Sequence, residues 1–159
     1  MKRTFVIGIG NRQRGDDAAG PDVVSRLCGT LPAQVEVVEH GGEMASLLAL
    51  FEQAAAVYLV DACVSGAPPG TLRRFDVAAA PLPSEMTTVS THGLGLSEAI
   101  EMARTLGQLP ARSVVYVIEG QSFEPGASLA PTVAKAVINA SRQLRLEILD
   151  LDKEKVTDA

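Results

Sequence analysis

Short apolar runs alternate with stretches of helical spacing along this chain. The first, residues 4–8 (Thr-Phe-Val-Ile-Gly), is apolar without alternation, as in a parallel strand buried on both faces. It continues into Ile9, Gly10 and Asn11, whose glycine lets the backbone turn tightly. A loop over 11–17 leads to a helical pattern over 18–28, with Val23, Val24 and Leu27 in phase. Pro21 suits the start of that helix, where its missing N–H costs little, and Gly29 suits its end. Residues 35–39 form a second strand, and His40-Gly41-Gly42 is the turn after it. Residues 43–53 repeat Met44, Leu47, Leu48 and Phe51 on one helical face. A third strand over 55–62 is a continuous apolar run that closes on Asp61. The turn over 65–70 holds Gly66, Pro68, Pro69 and Gly70.

Residues 71–75 read as a fourth strand, and Arg73 and Arg74 place it at a sheet edge. The connection from the third strand is too short for a crossover helix, which predicts antiparallel pairing between the two. A proline-containing loop over 77–90 has the character of a flap. His92-Gly93-Leu94-Gly95 opens a helix to 106, with Ile100, Ala103 and Leu106 on one face. Residues 113–119 form a fifth strand, 120–130 a loop, and Pro131 begins a last helix reaching about 149. Residues 151–159 form a charged tail expected to fray. The alternation predicts a three-layer α/β/α sandwich over residues 1–150, with about five strands, mostly parallel, and one antiparallel edge strand. A length of 159 residues favours a single domain.

Composition narrows the function classes. Aromatic residues are 4% of the chain and Trp is absent, which argues against a surface that stacks single-stranded nucleic acid. A net charge of −5 disfavours nucleic-acid binding in general. Cys28 and Cys63 have no zinc-knuckle spacing and are expected to be reduced thiols. No segment has the length of a membrane span, and the N-terminal apolar run is too short for a signal segment. The expectation is a cytoplasmic protein with no membrane partner.

Three ionisable residues fall at strand or loop ends on the carboxyl rim of the predicted sheet, where open α/β sheets bind ligands: Asp17, Asp61 and His92. Two carboxylates and one imidazole suit a borderline divalent ion such as nickel, zinc or manganese. With three protein ligands, positions stay open for water or substrate. Each residue has another reading. Asp17 could cap the first helix, a role that falls to Asp16 if Asp17 is a ligand. Asp61 could accept backbone N–H groups in the next turn, and His92 could be a surface imidazole at a helix start. All three alternatives would have to coincide at one rim. His40 and Asp16 are auxiliary candidates. Arg12 and Arg14 are either solvated or partners for an acidic group, and Glu119 is a loop anchor or helix cap. The run Gly8-Ile9-Gly10-Asn11 lacks the third glycine of a dinucleotide fingerprint, and Asp16-Asp17 would repel a pyrophosphate. There is no Gly-x-Ser-x-Gly elbow, and a Cys63–His92 nucleophile pair has nothing but co-location behind it.

In chain order these blocks resemble the NiFe-hydrogenase maturation proteases. The blocks are GIGNRQRGDDAAG from Gly8 to Gly20, Leu59-Val60-Asp61-Ala62 followed by Pro69-Gly70, His92-Gly93-Leu94-Gly95-Leu96, and Leu129-Ala130-Pro131-Thr132-Val133. The resemblance implies an endopeptidase that removes a C-terminal extension from a hydrogenase large-subunit precursor after nickel insertion. It implies that Asp17, Asp61 and His92 contact the metal and form the catalytic set. Nickel is then supplied by the precursor, with other divalent ions substituting in vitro. The ion would position the scissile peptide and polarise its carbonyl or a water, so no separate nucleophile is required. Two departures stand out. Many relatives carry an Asp before the glycines that follow the second strand, where this chain has His40, which leaves that role to His40 or Glu43. The loop Arg12-Gln13-Arg14 is also more polar than in several relatives, which bears on which large subunit is recognised. A non-catalytic nickel-sensing module for the same precursor would use the same residues without releasing a peptide.

Overall fold

Strands apolar on both faces need helices on both sides, and this chain winds in two directions to supply them. A computed structural model describes residues 2–86 and 95–157. The elements are β1 (Arg3–Ile9), α1 (Ala19–Leu27) after a 3₁₀ turn at Gly15–Ala18, β2 (Val35–His40), α2 (Met44–Glu52), β3 (Ala54–Cys63), β4 (Leu72–Asp76), α3 (Leu96–Thr105), β5 (Arg112–Glu119) and α4 (Pro131–Thr157). The sheet order is β2-β1-β3-β5-β4, parallel throughout except for β4. The expected three-layer α/β/α sandwich is the fold observed.

From β1 the chain steps outward to β2, then returns across β1 to lay down β3 on its other side. The winding reverses between β1 and β3, so α1 and α2 lie on opposite faces. Alternate residues of each strand feed the two cores. Phe5, Ile7, Leu59, Val115 and Val117 meet α2 and α3. Val6, Tyr58, Val60, Val114, Tyr116 and Ile118 meet α1 and α4. The crevice beyond the β1 and β3 carboxyl ends is the switch point, where neither connection covers the sheet.

Helix α1 lies unusually close to β1. A Cβ added at Gly8 would sit 2.3 Å from the Gly20 carbonyl oxygen, and one at Gly20 would sit 2.4 Å from that of Ile9 and 2.6 Å from that of Val60. Two facing glycines let helix and strand backbones touch, and this contact draws the 3₁₀ turn ahead of α1 down onto β3.

The edge strand departs from expectation. β4 is antiparallel and at the edge, but it pairs with β5, not β3. The reason is burial. From Ser113 to Glu119 every residue of β5 is buried, so it takes a central position that the half-exposed β4 cannot occupy. In the segment read as a flap, Val77, Leu82 and Met86 are anchored in the α2–α3 core, while residues 79–81, 84 and 85 are exposed. α3 begins at Leu96, and α4 runs through Thr157, past the expected end near 149. Beyond Pro131 that stretch contains neither Gly nor Pro, and its Leu, Glu and Lys residues sustain a helix.

β4 and α4 are fastened by a polar cluster around Glu147. Arg74 donates through Nε and Nη2 (2.9 and 2.7 Å), Arg112 donates through Nη2 (3.1 Å), and the Tyr116 hydroxyl donates as well. Burial works against the Glu147 charge, but the hydrogen bonds from Arg74 and Tyr116 outweigh it and hold the carboxyl below its usual range. Its stabilising contribution is therefore present at neutral pH and is lost as pH falls through that lowered pKa. Glu147→Gln is expected to cost about 1–2 kcal/mol in urea denaturation at pH 7. The difference from wild type should shrink as pH falls through that lowered pKa, where the wild-type carboxyl becomes neutral as well. An equal difference at every pH would show that charge is not what the cluster uses.

Candidate active site

The β1–α1 connection is built to bring a carboxylate back over the sheet. Gly10 leaves β1 with φ +146°, and a Cβ there would lie 1.9 Å from the Asp17 carbonyl oxygen, so only glycine fits. Gly10 donates its N–H to the His40 carbonyl (3.0 Å), and the Asn11 N–H donates to Asp17 Oδ2 (2.9 Å). Asp17 lies within the 3₁₀ turn, and no side chain caps either that turn or α1. Neither Asp17 nor Asp16 is therefore a helix cap.

Asp61 comes from the end of β3, one residue beyond the Gly8–Val60 pair. Its Oδ1 accepts the Ala62 N–H at 2.8 Å. Asp17 and Asp61 are 3% and 2% exposed, which removes most of the hydration a carboxylate needs. Burial, and then the nearby charge of Asp17, push the Asp61 carboxyl well above the usual carboxylate range. The switch point thus brings two acids 44 residues apart in sequence into electrostatic contact, which favours the protonated form of Asp61.

The third predicted member, His92, lies outside the described residues. Among the described residues no group of three His, Cys, Asp or Glu side chains is placed to hold a metal ion. The pair that is described offers oxygen donors of the type that hard and borderline divalent ions take.

Asp16 has a different task from its neighbour. It is fully buried, and its carboxylate accepts three backbone N–H groups: Gln121 (2.7 Å) and Ser122 (2.9 Å) on Oδ2, and Ala130 (2.9 Å) on Oδ1. It ties the β1–α1 connection to the loop that precedes α4.

His40, at the end of β2, is arranged with Ser46 and Glu43 in the order of a hydrolase triad. Its Nε2 is 2.8 Å from Ser46 Oγ, and Glu43 is 3.7 Å from Nδ1. The hydrogen-bond directions rule that chemistry out. The Gly42 N–H donates to Nδ1 (2.8 Å), so Nδ1 is an acceptor and Nε2 carries the hydrogen. Nε2–H therefore donates to Ser46 and cannot take its proton. Burial lowers the His40 pKa, with Glu43 opposing, which favours this neutral form. His40 and Ser46 clasp the start of α2; Ser46, three residues after Glu43, is a contact that spacing alone did not single out.

Glu119 is a loop anchor, as expected. It accepts the Ser65 N–H (2.8 Å), the Ser65 hydroxyl (2.5 Å) and the Cys63 thiol (3.4 Å). Burial and the neighbouring Glu119 push the Cys63 thiol up to about 12, which favours the unreactive thiol over the thiolate. Iodoacetamide at pH 8 is expected to add one label to the native protein, at exposed Cys28, and a second only after unfolding, read by intact mass. Rapid native labelling of Cys63 would contradict this. Arg12 is not simply solvated, since it donates to Glu39 (2.8 Å), Asp22 (3.1 Å) and the Pro21 carbonyl (3.2 Å).

Comparison with known proteins places this geometry. The hydrogenase maturation protease family model (HycI) matches residues 21–145, a span that takes in Asp61 and begins just after Asp17. The hydrogenase expression/formation protein HupD of Rhodobacter capsulatus is 31% identical over 159 residues, covering 96% of this chain and 76% of that protein. The hydrogenase expression/formation protein HoxM of Cupriavidus necator is 29% identical over 137 residues, covering 84% and 68%. Among solved structures, the hydrogenase maturating endopeptidase HybD of E. coli superposes with a TM-score of 0.78 at 28% identity, covering 93% of each chain. The chain belongs to the hydrogenase maturation protease family and is a peptide hydrolase.

Proposed function

We propose that this enzyme removes a C-terminal extension from a NiFe-hydrogenase large-subunit precursor that already carries nickel, and that Asp17, Asp61 and His92 grip that ion. The observation that carries this reading is the buried pair Asp17 and Asp61 at the switch point, where burial and the charge of Asp17 push the Asp61 carboxyl above its usual range. Two buried carboxylates side by side repel. A divalent cation brought in by the substrate turns that repulsion into attraction and displaces the Asp61 proton. The pair then recognises a metal-loaded precursor in preference to an empty one, because the empty one leaves the repulsion unrelieved.

The residues divide the work. The Asn11 N–H donates to Asp17 Oδ2 and orients that carboxylate. Asp61 takes up or releases the proton, and the His92 imidazole completes a donor set of two oxygens and one nitrogen suited to nickel. The nickel ion supplies Lewis acidity at the scissile carbonyl or at the attacking water. The Cys63 thiol donates to Glu119 with its pKa raised, and Ser46 receives a hydrogen bond from His40, so neither is set up as a competing nucleophile. The decisive experiment incubates purified enzyme with nickel-loaded and nickel-free precursor and follows the released peptide by mass spectrometry. Release from the loaded precursor alone is expected; equal release from both would remove the ion from the reading. Zinc or manganese in place of nickel tests how far the donor set discriminates.

A further inference from the structure

We propose that Asp16 is a positioning residue for cleavage: by fastening the loop of residues 120–130 it fixes the 3₁₀ turn that carries Asp17. The inference rests on the reading of Asp17 and Asp61 given above and adds a residue that touches neither substrate nor ion.

The turn at Gly15–Ala18 is a short element that owes little stability to its own hydrogen bonds. Its place is set from outside. The Asp16 carboxylate accepts backbone N–H groups from residues at both ends of the 120–130 loop, and the Asp16 N–H donates back to the Ser122 carbonyl at 2.8 Å. The same loop reaches over to the β1–α1 connection at a third point, where the Gly126 N–H donates to the Gln13 carbonyl at 2.7 Å. The two segments are more than 100 residues apart in sequence, and each is irregular on its own. Together they form one clamped unit ending directly at Asp17. Both carboxylate oxygens are used, and Asp16 is fully buried. Asparagine has the same shape but one acceptor oxygen. Whichever way its amide is turned, its NH2 confronts an N–H group, that of Ala130 or those of Gln121 and Ser122. A shift of about 1 Å in a site group can cost on the order of a hundredfold in rate.

The test compares Asp16→Asn, Gly126→Ala and Glu147→Gln with wild type, at a temperature where thermal melts show all four folded. Glu147 lies near the opposite end of the sheet, so its variant reports the effect of lost stability alone. Asp16→Asn is expected to lower kcat for precursor cleavage roughly 10- to 100-fold, with KM within about twofold. Gly126→Ala puts a side chain at φ +81° and loosens the clamp at its tip, so a several-fold fall in kcat is expected. Glu147→Gln should lower Tm and leave kcat unchanged. Should Asp16→Asn match Glu147→Gln, losing Tm but not kcat, the positioning role is overturned. Should Asp16→Asn fail to fold, Gly126→Ala decides alone, and an unchanged kcat overturns the proposal. Asp17→Asn and Asp61→Asn, run in parallel, separate the two readings. If they stay active the site assignment falls and this inference with it; if they are inactive and Asp16→Asn is not, only this inference falls.

Discussion

Asp61→Asn is expected to abolish precursor cleavage, by roughly a thousandfold or more, while making the folded protein more stable. The two effects share one cause. Asp61 is buried beside Asp17, and this raises its pKa. A group whose pKa is raised in the folded state stabilises it most fully below its unfolded pKa, and that contribution is lost as pH rises through the folded value. Wild-type stability should therefore decline from mildly acidic toward higher pH across the raised Asp61 pKa. The asparagine variant lacks that slope and stands about 1 kcal/mol higher at the upper end, a gain typical of removing strain from a functional site. In a chain of this length that is roughly 2–4 °C in Tm. Urea denaturation at several pH values, alongside peptide release from the nickel-loaded precursor, checks both halves. Asp17→Asn is expected to lose activity to the same degree. A variant of either acid that cleaves normally would remove that acid from the site. A wild-type slope that persists in Asp61→Asn would assign the coupling to another group.

The largest stability effect is expected at a residue that bears no side chain. Gly20→Ala would place a methyl group 2.4 and 2.6 Å from the carbonyl oxygens of Ile9 and Val60, and neither can move without breaking the β1–β3 ladder. Overpacking of rigid backbone costs about 3 kcal/mol or more, against about 1 kcal/mol for an average substitution. A fall in Tm of roughly 6–12 °C is expected, or insoluble protein if stability is marginal. Activity should fall further than the folded fraction does. α1 pushed off β1 carries the 3₁₀ turn with it, and Asp17 moves away from Asp61. A Gly20→Ala protein with wild-type Tm and activity would mean that the helix can slide along the strand, and that the contact does not set the switch point.

How much of this was readable in advance depends on which forces act locally. The parallel strands were legible because residues buried on both faces have nowhere to place a polar group: Phe5-Val6-Ile7 and Val57-Tyr58-Leu59-Val60 declare themselves. Asp61 was legible for the same reason, as a charge ending such a run. The partner of β4 was not legible. An arginine-bearing strand announces an edge but does not say whose edge, and β5, arriving some 40 residues later, took the inner place. Cys63, at a strand end two residues after Asp61, has its thiol engaged by Glu119, a partner 56 residues away that local sequence does not show.

Asp16 and Asp17 mark the boundary most sharply. Side by side in sequence, with the same chemistry, they could have exchanged roles on any local argument. Asp17 faces Asp61 across the switch point, whereas Asp16 receives three N–H groups from residues 105 to 114 positions away. The amino-acid pattern by itself determined the layers, the strands and the rim on which the acids stand, because these follow from hydrophobic burial, which each segment carries in its own periodicity. Which acid meets its like and which is held by backbone amides was decided only by the tertiary structure. A carboxylate's role depends on the donors and charges packed around it, and those are delivered by distant parts of the chain.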